Sequence, residues 1–187
     1  MAKNEKMFSK VVMIVLLSLF IIGFMVPGFI NNQEDPYTFA EPRLCRTDAD
    51  CYLTCDDQPV EVLCSQNLCV QNACDEGNSY PYRQQPVSFS LEIATPQGTV
   101  DLPTRSSSQD LFVRFEEKVK VYSASLPLAL ILEKAMIQYD GYCLAVDGTQ
   151  YCSNGIKNIT TTINGENNAL SPYYVPEEGD SISIIYS

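Results

Sequence analysis

Six cysteines stand within one short stretch in the order C-x5-C-x3-C-x8-C-x4-C-x4-C, at Cys45, Cys51, Cys55, Cys64, Cys69 and Cys74. A segment this short cannot bury a sufficient core of its own. Cross-links are what would hold it, each contributing on the order of 3 kcal/mol by restricting the unfolded chain. With Cys143 and Cys152 the chain has 8 cysteines, an even number, as in a disulfide framework of an oxidising compartment. The spacing leaves the pairing among the first six open.

Two metal readings and one redox reading of the cluster fail on spacing. No C-x2-C pair is present, which removes both the usual zinc knuckle and the thioredoxin-like redox motif. Asp48, Asp50, Asp56 and Asp57 crowd together, yet the glycine and ligand spacing of a calcium loop are missing, and solvated carboxylates account for them. No metal or other cofactor is expected. The segments Cys45-Arg46-Thr47-Asp48-Ala49-Asp50-Cys51 and Cys64-Ser65-Gln66-Asn67-Leu68-Cys69-Val70 resemble small secreted disulfide-knot modules. That resemblance implies a stapled interaction module and no particular target.

Residues 11–30 hold no charge and at about 1.5 Å per helical residue would span roughly 30 Å, the thickness of a bilayer core. Lys3, Lys6 and Lys10 precede the run, so the positive-inside rule predicts a cytoplasmic N-terminus and extracytoplasmic cysteines. The run is longer than the apolar region of a cleaved signal peptide, and Thr38-Phe39-Ala40, the best cleavage-like site, lies far from its end. The predicted organisation is a cytoplasmic tail (1–10), a transmembrane signal anchor (11–30), a spacer (31–44), a disulfide-rich module (45–74), a linker (75–86) and a folded domain (87–187).

Charge and composition narrow the function classes. The formal charge is −11, which disfavours nucleic acid and anionic lipid headgroups as partners. Histidine is absent, so Ser-His-Asp and Cys-His catalysis and imidazole metal ligation are excluded.

In the last segment Val87, Phe89, Leu91 and Ile93 alternate with small and polar residues, a strand with one buried face. Pro96-Gln97-Gly98 turns the chain into a second strand over 99–102. Residues 111–115 and 119–122 are rich in β-branched and aromatic side chains and are assigned to strands. Apolar helix formers over 128–136 predict a helix, with Ser125 as cap and Pro127 in the first turn. Asp147-Gly148 is a two-residue hairpin signal, and pairing outward from it sets Cys143 opposite Cys152 in a non-hydrogen-bonded pair within disulfide range. Strands over 159–163 and 181–186 follow, and Asn158-Ile159-Thr160 is an N-glycosylation acceptor pattern.

The apolar helix, the Asp147-Gly148 hairpin, Thr162-Ile163-Asn164-Gly165-Glu166 and the closing Tyr174-Val175-Pro176-Glu177-Glu178-Gly179-Asp180-Ser181-Ile182-Ser183-Ile184-Ile185-Tyr186 resemble β-grasp domains of the transcobalamin C-terminal type. The resemblance covers 125–187 and implies an α+β, ubiquitin-like domain, a mixed sheet wrapped on one main helix. Cobalamin binding does not carry over, because the partner α-barrel of transcobalamin has no counterpart in this sequence. A ubiquitin-like carrier role is disfavoured, since the sequence ends Ile185-Tyr186-Ser187 and not Gly-Gly.

The expected function is therefore a non-enzymatic, membrane-anchored extracytoplasmic binding or scaffold protein at the cell membrane, whose partner is another envelope or membrane protein. Capture of a small molecule is the alternative, with Tyr173, Tyr174 and Glu166-Asn167-Asn168 as a rim, although ordinary strand packing is the readier account of the tyrosines. A carboxylate-pair glycosidase would need two acids facing each other in a cleft.

Overall fold

The computed structural model describes residues 12–18 and 41–187. The chain divides into two compact units, Met1–Phe39 and Ala40–Ser187. In the first, residues 12–18 form a helix, α1, about 10 Å long at the α-helical rise. Among the described residues no helix is long and apolar enough to cross a membrane, which overturns the expected transmembrane helix over 11–30. The remainder of that run, the tail and most of the spacer lie outside the described residues.

In the second unit the disulfide knot comes first. Its four short strands are β1 (Leu53–Cys55), β2 (Gln58–Val60), β3 (Cys64–Ser65) and β4 (Leu68–Cys69), paired as hairpins β1–β2 and β3–β4. The bridges are Cys45–Cys64, Cys51–Cys69 and Cys55–Cys74. Cys45, Cys51, Cys64 and Cys69 are buried around Val62, so sulfur occupies the space that side-chain carbon fills in a larger core.

The remaining strands are β5 (Tyr82–Thr95), β6 (Gly98–Thr99), β7 (Val113–Phe115), β8 (Val119–Ser123), β9 (Gln138–Tyr139), β10 (Cys143–Val146), β11 (Thr149–Cys152), β12 (Ile159–Ile163), β13 (Glu166–Asn167) and β14 (Ser181–Tyr186). A seven-stranded sheet runs β13-β12-β14-β5-β8-β7, with β6 paired to β5, and a three-stranded sheet runs β11-β10-β9. β5 lies parallel to β14 and antiparallel to β8. It starts at Tyr82 and so takes in residues assigned by sequence to a linker. Its register with β8 shifts between Tyr82 and Val87, the interval holding Pro86, which has no N–H to give to a ladder.

The expected α+β class is corrected by this architecture: the described chain is mostly β-sheet, with two short helices. The second helix, α2 (Leu128–Lys134), is curtailed at both ends. Pro127 is its N-cap, in extended conformation and without a side-chain cap bond, and the Leu128 N–H donates to the Tyr174 carbonyl at 2.8 Å. Ser125, the expected cap, donates its hydroxyl to the Ser79 carbonyl instead. At the other end Met136 turns left-handed at φ 58°. There the Ile137 N–H reaches the Leu132 carbonyl and the Met136 N–H the Glu133 carbonyl, a Schellman stop with methionine where glycine is usual.

α2 buries Leu128, Ile131 and Leu132 against Phe89, Ile93, Ile182 and Ile184 of the large sheet and Leu144 of the small one. Leu63 of the knot enters the same core at 1% exposure. Burying a leucine contributes about 2–3 kcal/mol, so the knot is seated on the sheet domain by hydrophobic burial as well as by the chain joining them.

Candidate functional site

The seam between knot and domain is built on Asp48, whose carboxylate is fully buried. It sits in a single turn of 3-10 helix, Asp48–Asp50, and has four partners. The N–H of Cys64 donates to Oδ1 at 2.9 Å, and those of Leu111 and Phe112 donate to Oδ2 at 2.9 and 3.2 Å. The Lys134 ammonium, from the last turn of α2, stands 2.6 Å from Oδ1 and also donates to the Cys64 carbonyl. A buried carboxylate is tolerated only when its lone pairs are met in this way. Asp110 lies 3.6 Å from the same ammonium. Burial pushes its carboxyl above the usual range, and the repulsion of Asp48 adds to this while Lys134 opposes it.

One residue earlier on α2, Glu133 reaches the knot by a different route. Its carboxylate accepts from the Gln66 N–H at 2.6 Å and from the Ser65 hydroxyl at 3.0 Å. Gln66 and Asn67 form the β3–β4 turn, both left-handed at φ 50° and 62°, a conformation that costs a non-glycine residue roughly 1–2 kcal/mol. Glu133 holds that turn against the helix.

Between these parts lies a cleft of about 660 Å³, within the size range of ligand sites. One wall is the outer face of α2, with Ala129, Leu130 and Glu133. The opposite wall is the outer face of the small sheet, where the register places Gln138 beside Ala145 and Ala145 opposite Gln150. Gln66 and Asn67 close the knot side, and Ile137, Tyr139, Asp140 and Cys143 complete the lining. Asp140 turns the chain from β9 into β10 by accepting from the N–H groups of Tyr142 at 2.8 Å and Cys143 at 2.5 Å. Behind the sheet, the buried Tyr139 hydroxyl bonds Thr161 at 2.6 Å and Ser171. The cleft thus pairs an apolar strip on α2 and β10 with a rim of carboxamides and two carboxylates, and among the described residues no basic side chain lines it.

Comparison with known proteins returned no match. No family model, curated protein or solved structure matches the chain, so the transcobalamin-type resemblance gains no support there.

The residues singled out by sequence are distributed unevenly over this geometry. Cys143 and Cys152 stand opposite each other and are bonded, and Cys143 lines the cleft. The sulfurs of Cys45, Cys51 and Cys69 lie within 4.8 Å of one another, but each is in a disulfide and offers no thiolate to zinc. The four aspartates weighed for calcium do not converge. Asp48 is consumed at the seam, Asp50 caps its own turn through the Arg46 and Thr47 N–H groups, and Asp56 and Asp57 form the exposed left-handed β1–β2 turn.

None of the five rim residues expected from sequence lines the cleft. Tyr173 is exposed, Glu166 and Asn167 lie on the exposed strand β13, and Asn168 donates its N–H to the Thr161 carbonyl. Tyr174 donates its hydroxyl to Asp180 at 2.6 Å. Burial and that bond push the Tyr174 phenol up to about 12. For Asp180 burial likewise pushes the carboxyl up, but bonds from Tyr174, the Glu177 N–H and Asn164 outweigh it and hold the carboxyl below its ordinary value. This group is a structural clasp on the turn before β14. Sequence reasoning weighed Asp48 only as a calcium ligand and missed Glu133 and Lys134; the charged pair closing an otherwise apolar helix was the available signal.

Proposed function

We propose that the protein is a non-catalytic binding protein of an extracytoplasmic, oxidising compartment, and that the cleft beside α2 receives a segment of a protein partner. The observation that carries this reading is that the cleft is walled by two separately stabilised parts, the knot turn and the α2–small-sheet corner, clamped together by Glu133. A preformed concave site with an apolar strip and a polar rim is the usual form of a recognition site. Its carboxylates, Glu133 and Asp140, each hold backbone N–H groups in place, which is a positioning task. A rim that is acidic among the described residues favours a partner segment that is neutral or cationic and rich in donors. All eight cysteines are paired, which supports the oxidising compartment.

The test is photocrosslinking in the producing cells, with a photoreactive side chain at Gln138 or Gln150 in the cleft and at Glu92 on the far sheet face as control. The expected result is a crosslinked envelope or membrane protein from the cleft positions alone, reduced about tenfold when Ala129→Arg fills the cleft, corresponding to about 1.4 kcal/mol. Equal yields at Glu92 would sink the reading. The second reading, a small molecule in the same cleft, would show as a small mass adduct on the native protein that Ala129→Arg removes.

A further inference from the structure

We propose that Asn158 carries an N-linked glycan, placed on the face of the large sheet that points away from the cleft. The chain has one Asn-X-Ser/Thr triplet, Asn158-Ile159-Thr160. The inference rests on the extracytoplasmic location proposed above, and on three structural facts beyond the tripeptide.

The first is access. Asn158 and Thr160 are both exposed, while Ile159 between them is half-buried and packs against the core. Both groups that a glycosyl-transfer enzyme must engage, the carboxamide and the hydroxyl two residues on, therefore point to the same open side.

The second is the backbone. The Asn158 N–H donates to the Ser187 carbonyl at 2.8 Å and the Ser187 N–H donates back at 3.1 Å, continuing the β12–β14 ladder one pair beyond Ile159 opposite Tyr186. Asn158 thus keeps the alternation of β12, and its side chain shares the face of Thr160.

The third is direction. Thr161 and Ile163, which alternate with Thr160, are buried, and Ile163 belongs to the core into which α2 packs. The cleft lies on the outer side of α2. A bulky, solubilising sugar on Asn158 would cover the outer sheet face and leave the cleft open.

The transfer balances as a substitution at the anomeric carbon of a lipid-pyrophosphate-linked oligosaccharide. The Asn158 Nδ2 forms the new C–N bond, the anomeric C–O bond breaks, the electron pair leaves with the lipid pyrophosphate, and the Nδ2 proton passes to a base of the transferase.

The full chain is purified from the cells that produce it and cleaved with trypsin, which after Lys157 releases 158–187, a peptide without further Lys or Arg. A parallel digest without reductant follows the four disulfides. The expected result is a saccharide mass increment on that peptide in most copies, retained in Thr160→Ser and lost in Asn158→Gln and Thr160→Ala. A bare peptide from disulfide-intact protein overturns the proposal, as does an increment that persists in Asn158→Gln, which would place the sugar on a hydroxyl. A bare peptide with free thiols overturns it through the compartment, and overturns with it the location on which the binding reading depends. Loss of crosslinks from the cleft with the glycan present would leave this proposal standing and remove only the binding reading.

Discussion

Of the five buried residues at the centre of the knot, four are disulfide cysteines and one, Val62, is aliphatic, whereas the sheet domain buries Phe89, Ile93, Phe112, Ile131, Leu132, Ile182 and Ile184 without a single cross-link among them. Cross-links act mainly by restricting the unfolded chain. They keep the knot folded but do not say where it sits. Its position comes from interactions of the second kind: Leu63 in the domain core, Asp48 against Lys134, and the Gln66 turn against Glu133. Internal stability and placement are therefore separate properties of the knot, whereas in the sheet domain one core provides both.

The largest expected effect follows from breaking the placement. Asp48→Ala leaves the Lys134 ammonium with only the Cys64 carbonyl and the more distant Asp110 and three backbone N–H groups without acceptors, which should cost about 3–5 kcal/mol, read from denaturant unfolding. If the loss is below about 1 kcal/mol, the rule that a stranded buried charge is costly fails at this seam. Next comes the internal stability of the knot. Replacing Cys51 and Cys69 by serine should cost about 3 kcal/mol and strip hydrogen-exchange protection from β3 and β4 while β5 and β14 keep theirs. Equal loss of protection in β5 would show one cooperative unit and end the distinction.

A smaller effect tests the domain's own clasp. Tyr174→Phe should cost about 1.5 kcal/mol at neutral pH, as for a bond to a charged acceptor. In the native protein the folded tyrosine pKa, about 12, is raised above its unfolded value. Its contribution is therefore complete below the unfolded pKa and is lost as pH rises through about 12. Asp180 has the opposite sign: its folded pKa is lowered, so its contribution is present above the unfolded pKa and disappears as pH falls through the folded one. An unfolding profile whose alkaline limb is unchanged in Tyr174→Phe would contradict this assignment. The smallest change should be a gain: Met136→Gly relieves a left-handed, exposed methionine and should add about 1 kcal/mol, raising the thermal midpoint by a few degrees.

Much of the sheet domain was legible because its signals are local. The alternation at Val87, Phe89, Leu91 and Ile93 reports a face with a period of two, and Asp147-Gly148 alone brings Cys143 opposite Cys152. Helix length was less legible, since Leu128 to Met136 all suit a helix and only the Schellman stop decides where it ends. The end of the linker was misread because Tyr82–Pro86 is polar and carries a proline, yet it belongs to β5 and Tyr82 pairs with Ser123 of β8 across a register shift. The transmembrane reading rested on an uncharged run of bilayer length and the lysines before it, and is set aside because no helix among the described residues is long and apolar enough to cross a membrane.

The sequence by itself determined the parity of the cysteines, the strand faces and the exclusion of histidine chemistry, all of which follow from residue identity and short spacing. Tertiary structure alone decided how the six knot cysteines pair, that Asp48 is a seam and not a calcium ligand, and that α2 has a cleft on its outer face. Those outcomes depend on contacts such as Asp48 to Leu111 and to Lys134, 63 and 86 residues apart. No local periodicity encodes such contacts; only burial of one surface against another creates them.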